Sequence, residues 1–121
     1  MPSQTIRLNV PAEPAFARSV RMMAANLAVV CKMSVDEVED MRMAAEEGFV
    51  LACATRPSDL DVTFTLDESH VEMDFSLGAD SPDEPGSYAG LLLSAVCDEY
   101  LIDADRACLH LVKRIGLADG E

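Results

Sequence analysis

The stretch from Ser34 to Ala54, SVDEVEDMRMAAEEGFVLACA, admits one local structure and sets the frame for everything around it. Ser34 with Glu37 three positions on forms a capping box, in which each side chain satisfies a backbone N–H left free at a helix start. Asp36, Glu37, Glu39 and Asp40 occupy the first turns, where the positive end of the helix dipole stabilises them. From Met43 to Ala54 the only polar side chains are Glu46 and Glu47. A carboxylate in an apolar helix is costly unless it is paired, hydrogen-bonded or facing a cavity, so this pair is the first place to look for a site. The expectation is that Glu46 faces solvent near Arg42 while Glu47 is hydrogen-bonded at a cavity. Gly48 costs about 1 kcal/mol inside a helix, which implies a close approach that only glycine permits.

The rest of the chain divides into short periodic segments. Ile6, Leu8 and Val10 alternate with polar residues as in a half-buried strand. Pro11 and Pro14 break the pattern, and Pro14 suits the first turn of a helix. Phe16, Val20, Met23, Leu27 and Val30 recur at helical spacing and predict a helix from about Ala15 to Lys32. The second helix ends near Arg56 and Pro57. Leu60, Val62, Phe64 and Leu66, then Val71, Met73, Phe75 and Leu77, predict two strands joined by a turn at Asp67 to His70. Gly78 to Gly86, GADSPDEPG, is a polar loop. A third helix is expected from Tyr88 to Tyr100 and a last strand from Ala107 to Arg114. The order is β-α-α-β-β-loop-α-β. It predicts an α+β, two-layer sandwich: a mixed, mostly antiparallel sheet of about four strands with three helices on one face, in a single domain over residues 1–121.

Composition narrows the function classes. Half of the 121 residues are apolar, enough for one sizeable core. No apolar run approaches the roughly 18 residues of a membrane span. The opening MPSQTIRLNV has no basic region followed by a hydrophobic stretch, so the expected location is the cytoplasm. Twenty-two acidic residues against nine basic give a net charge of −13, which disfavours nucleic acid and anionic lipid and favours basic partners. Cys31, Cys53, Cys97 and Cys108 have no C-x-x-C spacing and read as buried reduced thiols. His70 and His110 lie far apart with no ligand pattern around either, so no metal site is expected. Met22 and Met43 are candidates for an exposed, adaptable binding patch.

Together with the upstream VPAEPAFARSVRMMAANLAVVCKM, the central helix resembles the N-terminal half of the anti-sigma serine kinases, members of the histidine-kinase-like (Bergerat-fold) ATPases. The segment LLLSAVCDEYLIDADRACLHLVKRI resembles that family's helix ending in Asp-Glu, here Asp98 and Glu99, followed by a final strand. The resemblance implies site positions, and several of them are altered. Glu47 falls on the Glu of E-x-x-x-N, which activates the attacking hydroxyl or water, and Leu51 stands where Asn would hold magnesium. In the D-x-G-x-G box, Ser76 replaces the Asp that accepts from the adenine amino group, Gly78 is retained, and Asp80 replaces the second glycine. Ser87, Tyr88 and Ala89 fall on the phosphate-holding G-x-G, with Gly90 brought in by a one-residue offset. The loop between holds Asp80, Asp83 and Glu84 with no Lys or Arg. Each like charge near 6 Å of a phosphate costs roughly 2–3 kcal/mol at an effective dielectric constant of about 20, before screening.

The resemblance therefore implies an anti-sigma-factor-like regulatory protein acting by protein–protein binding, with a degenerate, non-catalytic ATP site and no cofactor. Its partner would be a sigma factor or an anti-sigma antagonist, and the chain would form a homodimer. The alternative is an ATP-dependent serine kinase with Mg-ATP as cofactor, in which Glu47 is the base and Gly78 and Gly90 shape a remodelled pocket. A third reading is a small-molecule-binding domain that reuses the cavity.

Overall fold

The computed structural model describes residues 3–82 and 84–116; Asp83, placed by the sequence in the acidic loop, lies outside them. In chain order the elements are β1 (Gln4–Val10), α1 (Ala17–Val30), α2 (Val35–Ala54), β2 (Leu60–Leu66), β3 (His70–Ser76), α3 (Ser87–Val96), β4 (Glu99–Asp103) and β5 (Cys108–Arg114), with a single 3-10 turn at Pro14–Phe16 leading into α1.

The strands form one sheet in the order β1-β2-β3-β5-β4, with every neighbouring pair antiparallel. Period-two patterning fixes which face is covered. Leu60, Val62, Phe64 and Leu66 of β2 and Val71, Met73 and Phe75 of β3 point to the helices and are buried. Thr63, Thr65, Glu72 and Asp74 occupy the opposite face, half-buried. Register follows the same logic: Val62 stands opposite Phe75 and Phe64 opposite Met73, so both strands put their large side chains into one core.

The architecture is the α+β sandwich that the residue patterns predict, with one element more. The third helix stops at Val96, short of Tyr100. Cys97 takes an extended conformation (φ −110°, ψ 148°), and the Asp98 N–H donates to the Val112 carbonyl at 2.9 Å. That bond turns the chain onto the free edge of β5, where the short strand β4 forms. Tyr100 and Ile102 alternate with Leu101 and Asp103, a pattern too brief to separate strand from helix by periodicity. Asp98 and Glu99, matched in the sequence to a helix end, therefore lie beyond the helix, and Glu99 opens β4.

Helix α2 packs on β3 and β5 and touches both other helices. It begins as its sequence dictates: the Ser34 hydroxyl accepts from the Glu37 N–H at 3.1 Å, and the Glu37 carboxylate accepts from the Ser34 N–H at 2.8 Å. Both long helices end through a residue with left-handed backbone, Lys32 after α1 (φ 61°) and Arg56 after α2 (φ 57°). Lys113 of β5, only 14% exposed, reaches under α2 to bond Asp40 at 2.9 Å. None of the described helices is long and apolar enough to cross a membrane. Met22 and Met43 are exposed, at 57% and 39%. All four cysteines are free thiols, with Cys97 and Cys108 buried and Cys31 and Cys53 half-buried.

Candidate functional site

Glu46 and Glu47 follow one another on α2 and therefore point about 100° apart. Glu46 is half-exposed and pairs with Arg21 of α1 at 3.0 Å, not with Arg42. Arg42 instead takes Glu39, one turn back, at 3.2 Å. The exchange has a packing cause: α1 lies against α2 and presents Arg21 to Glu46, a long-range partner that no spacing within α2 reveals.

Glu47 points toward α3. It lines a groove of about 270 Å³ with Met43, Glu46 and Val50 of α2 and Tyr88 and Leu92 of α3. Among the described residues, no hydrogen bond or ion pair engages its carboxylate, so the expected bond is not made there. The groove is thus a mixed polar and apolar trough with two carboxylates on one wall. Tyr88, 75% exposed, stands on the other wall at the first turn of α3, on the position matched to a phosphate-holding glycine box.

The other predicted positions are dispersed. Leu51 packs partly buried against the core, and its side chain offers no ligand atom. Ser76 lies on the outer face of the sheet, where its hydroxyl accepts the Asp61 N–H at 2.9 Å. Gly78 belongs to a knot at the end of α2. Its N–H donates to the buried Thr55 hydroxyl at 2.7 Å, and that hydroxyl donates to the Ala52 carbonyl at 2.7 Å. A Cβ on Gly78 would stand 2.5 Å from the Pro57 nitrogen and also clash with the Thr55 carbonyl oxygen. Glycine is required here because the chain passes against itself. Asp80 completes the knot by pairing with Arg56 at 3.0 Å. Gly90 sits inside α3, where a Cβ would meet only the Tyr100 hydroxyl at an ordinary 3.6 Å, so nothing in its packing demands glycine.

On the positions that the resemblance matches to an Mg-ATP site, Leu51 stands where a magnesium ligand is expected, the described lining of the groove holds carboxylates and no Lys or Arg, and Ser76 lies across the sheet from Glu47.

A second polar constellation lies on the uncovered face of the sheet. The pairing of β3 with β5 sets His110 directly opposite Asp74, with Nδ1 and Oδ1 2.7 Å apart. The Cys108 thiol donates to the same Asp74 oxygen at 3.3 Å, and His70 Nε2 lies 2.7 Å from Glu72 Oε2. Burial, reinforced by the bond to Asp74, pushes the Cys108 thiol up to about 12; burial, with Asp98 and Asp40 nearby and against the pull of Lys113, brings Cys97 to a similar value. The sequence reading expects no metal site because His70 and His110 lie far apart with no ligand pattern around either, and the 36 positions between Asp74 and His110 hide their pairing across the sheet. The signal available was the alternation H-V-E-M-D in β3 and L-H-L in β5, which puts every acid and imidazole on one face once the strands pair.

No family model matches the sequence, and neither does any curated protein. Among solved structures, the chain is similar in fold to the RsbU and RsbW domains of Rv1364c from Mycobacterium tuberculosis. The TM-score is 0.69 at 15% sequence identity, over 94% of this chain and 32% of that one. The chain thus spans about a third of the length of the structure it matches. The likeness establishes the fold, a two-layer α+β domain with a five-stranded antiparallel sheet covered by three helices.

Proposed function

We propose that this chain is an anti-sigma-factor-like regulatory protein that acts by protein–protein binding, with a vestigial, non-catalytic nucleotide site. One observation carries the reading. The groove between α2 and α3, where the family resemblance puts the phosphates, is walled by Met43, Val50, Tyr88 and Leu92 and charged by Glu47, with Glu46 beside it paired to Arg21. Triphosphate would meet like charge and an aromatic side chain there; a basic, partly apolar polypeptide surface would meet complementary chemistry. The shared fold and the net charge of −13 support the same direction. In this reading the partner is a sigma factor or its antagonist, and the working form is a homodimer.

The test is calorimetric titration with Mg-ATP, with Mg-ADP as control, followed by titration with a candidate sigma factor. The expected result is no heat and no thermal shift at millimolar nucleotide. Sigma-factor binding should weaken at least tenfold in Tyr88→Ala, since exposed aromatic anchors dominate such interfaces. Micromolar ATP binding, or transfer of labelled phosphate to a serine-bearing antagonist that disappears in Glu47→Gln, would overturn the proposal. Gly78→Val is unsuitable for this purpose, because it clashes with Thr55 and Pro57 whatever the nucleotide does.

The kinase reading keeps one specific observation in its favour. Glu47 lines the groove and is bonded to none of the described residues, as a general base awaiting a hydroxyl would be.

A further inference from the structure

The geometry points to a binding site for a first-row divalent cation, with Zn²⁺ as the fitting probe, on the uncovered face of the sheet, ligated by Glu72, Asp74 and His110. One ligand atom from each of the three lies within 4.8 Å of the others. Ligands about 2.0–2.2 Å from a zinc ion stand roughly 3–4 Å apart, so small side-chain rotations suffice to close the site. The donor set of two carboxylates and one imidazole suits zinc and its neighbours, whereas calcium and magnesium favour oxygen donors alone.

The backbone supplies the precision. Glu72 and Asp74 alternate on β3 and so share a face, while His110 stands directly across the ladder from Asp74. Both strands are interior to the sheet, each paired on two sides, which holds the ligands on its most rigid part. Two further side chains orient the carboxylates: His70 bonds Glu72 at 2.7 Å and Cys108 bonds Asp74 at 3.3 Å. Imidazole–carboxylate pairs of this kind set the direction of metal ligands. His70, Glu72 and His110 also line a shallow depression of about 320 Å³ with Glu99, Val112 and Arg114. The Arg114 cation there is taken by Glu99 at 2.6 Å, and the depression is open to solvent and to further ligands of the ion.

This site is separate from the α2–α3 groove, on the opposite side of the sheet, and stands or falls independently of the regulatory reading. The test is calorimetric titration of the intact chain with ZnCl₂ in a buffer that does not bind zinc, with thermal unfolding in parallel. One zinc per chain is expected, with a rise in Tm for the wild type. Affinity should fall at least tenfold in Asp74→Asn and His110→Ala. In the positioning variant His70→Ala it should fall by about tenfold, as is usual for partners that orient a ligand. A Cys31→Ser/Cys53→Ser variant should bind as the wild type does. Circular dichroism confirms folding, and Asp74→Asn, nearly isosteric, decides the matter if His110→Ala is unstable. Zinc binding that survives Asp74→Asn, that follows the half-buried thiols instead, or that is absent in the wild type overturns the assignment.

Discussion

Gly48 lies against the ring of Phe75: a Cβ on the glycine would stand 2.7 Å from Cε1 and 2.8 Å from Cζ. Phe75 is fully buried beneath α2, where close packing resists displacement of its ring. Helix propensity alone would make Gly48→Ala stabilising by about 1 kcal/mol. The contact reverses the sign, and overpacking should cost about 1–3 kcal/mol net. Urea unfolding measures this directly, and a variant more stable than the wild type would show that α2 can lift off β3 at no cost.

Glu37 closes two parts of the chain at once, accepting from the Ser34 N–H at 2.8 Å and from the Gly116 N–H at 2.5 Å. Partial burial opposes its charge, but these backbone bonds, the Ser34 hydroxyl and nearby Lys113 hold its carboxyl below the ordinary range. The folded group therefore titrates below the unfolded value of about 4.3. Its contribution is complete above that value and is lost as the pH falls through the folded pKa. At pH 7, Glu37→Gln should be less stable by about 0.5–1 kcal/mol, the scale of a solvent-screened cap. Once the pH has fallen below the folded pKa the two curves should converge.

Ala107 holds a left-handed backbone (φ 48°) at the entry to β5, where its carbonyl accepts the Leu77 N–H at 2.8 Å. A side chain there works against its own backbone. Ala107→Gly should stabilise the fold by about 0.5–1 kcal/mol, the gain in strain exceeding the added freedom of the unfolded chain. A shift of the denaturation midpoint to lower urea would refute this.

Burial pushes the Cys97 thiol up to about 12, far above an unfolded cysteine. Between roughly pH 8.5 and that value the unfolded chain has lost a proton the folded chain retains, so stability falls as the pH rises. Cys97→Ala should flatten this alkaline slope. In native alkylation at pH 8 read by mass spectrometry, the half-buried Cys31 and Cys53 should label well before Cys97 and Cys108.

Local patterns carry the helices, the β2–β3 hairpin and the core face, because capping boxes and alternation are written into adjacent residues. Ser34, Glu37, Leu60 to Leu66 and Gly48 all stand where their neighbours imply. What depends on strand pairing or on helix packing was not legible. Arg21 opposite Glu46, His110 opposite Asp74 and the short strand β4 arise from contacts between distant segments. Gly78 is the instructive case: the resemblance marks it as a glycine kept for the approach of a nucleotide, whereas the fold shows that the approaching groups are Thr55 and Pro57 of its own chain.

The register of β1 on β2, with Gln4 opposite Leu66 and Val10 opposite Leu60, carries a cost during synthesis. Everything between the two strands, both long helices included, must leave the ribosome before β1 has a partner. At about 5–20 residues per second, that is a wait of roughly 3–10 seconds for an unpaired strand. Thr5, Arg7 and Asn9, on its solvent side, are what keeps such a strand dispersed until the sheet arrives.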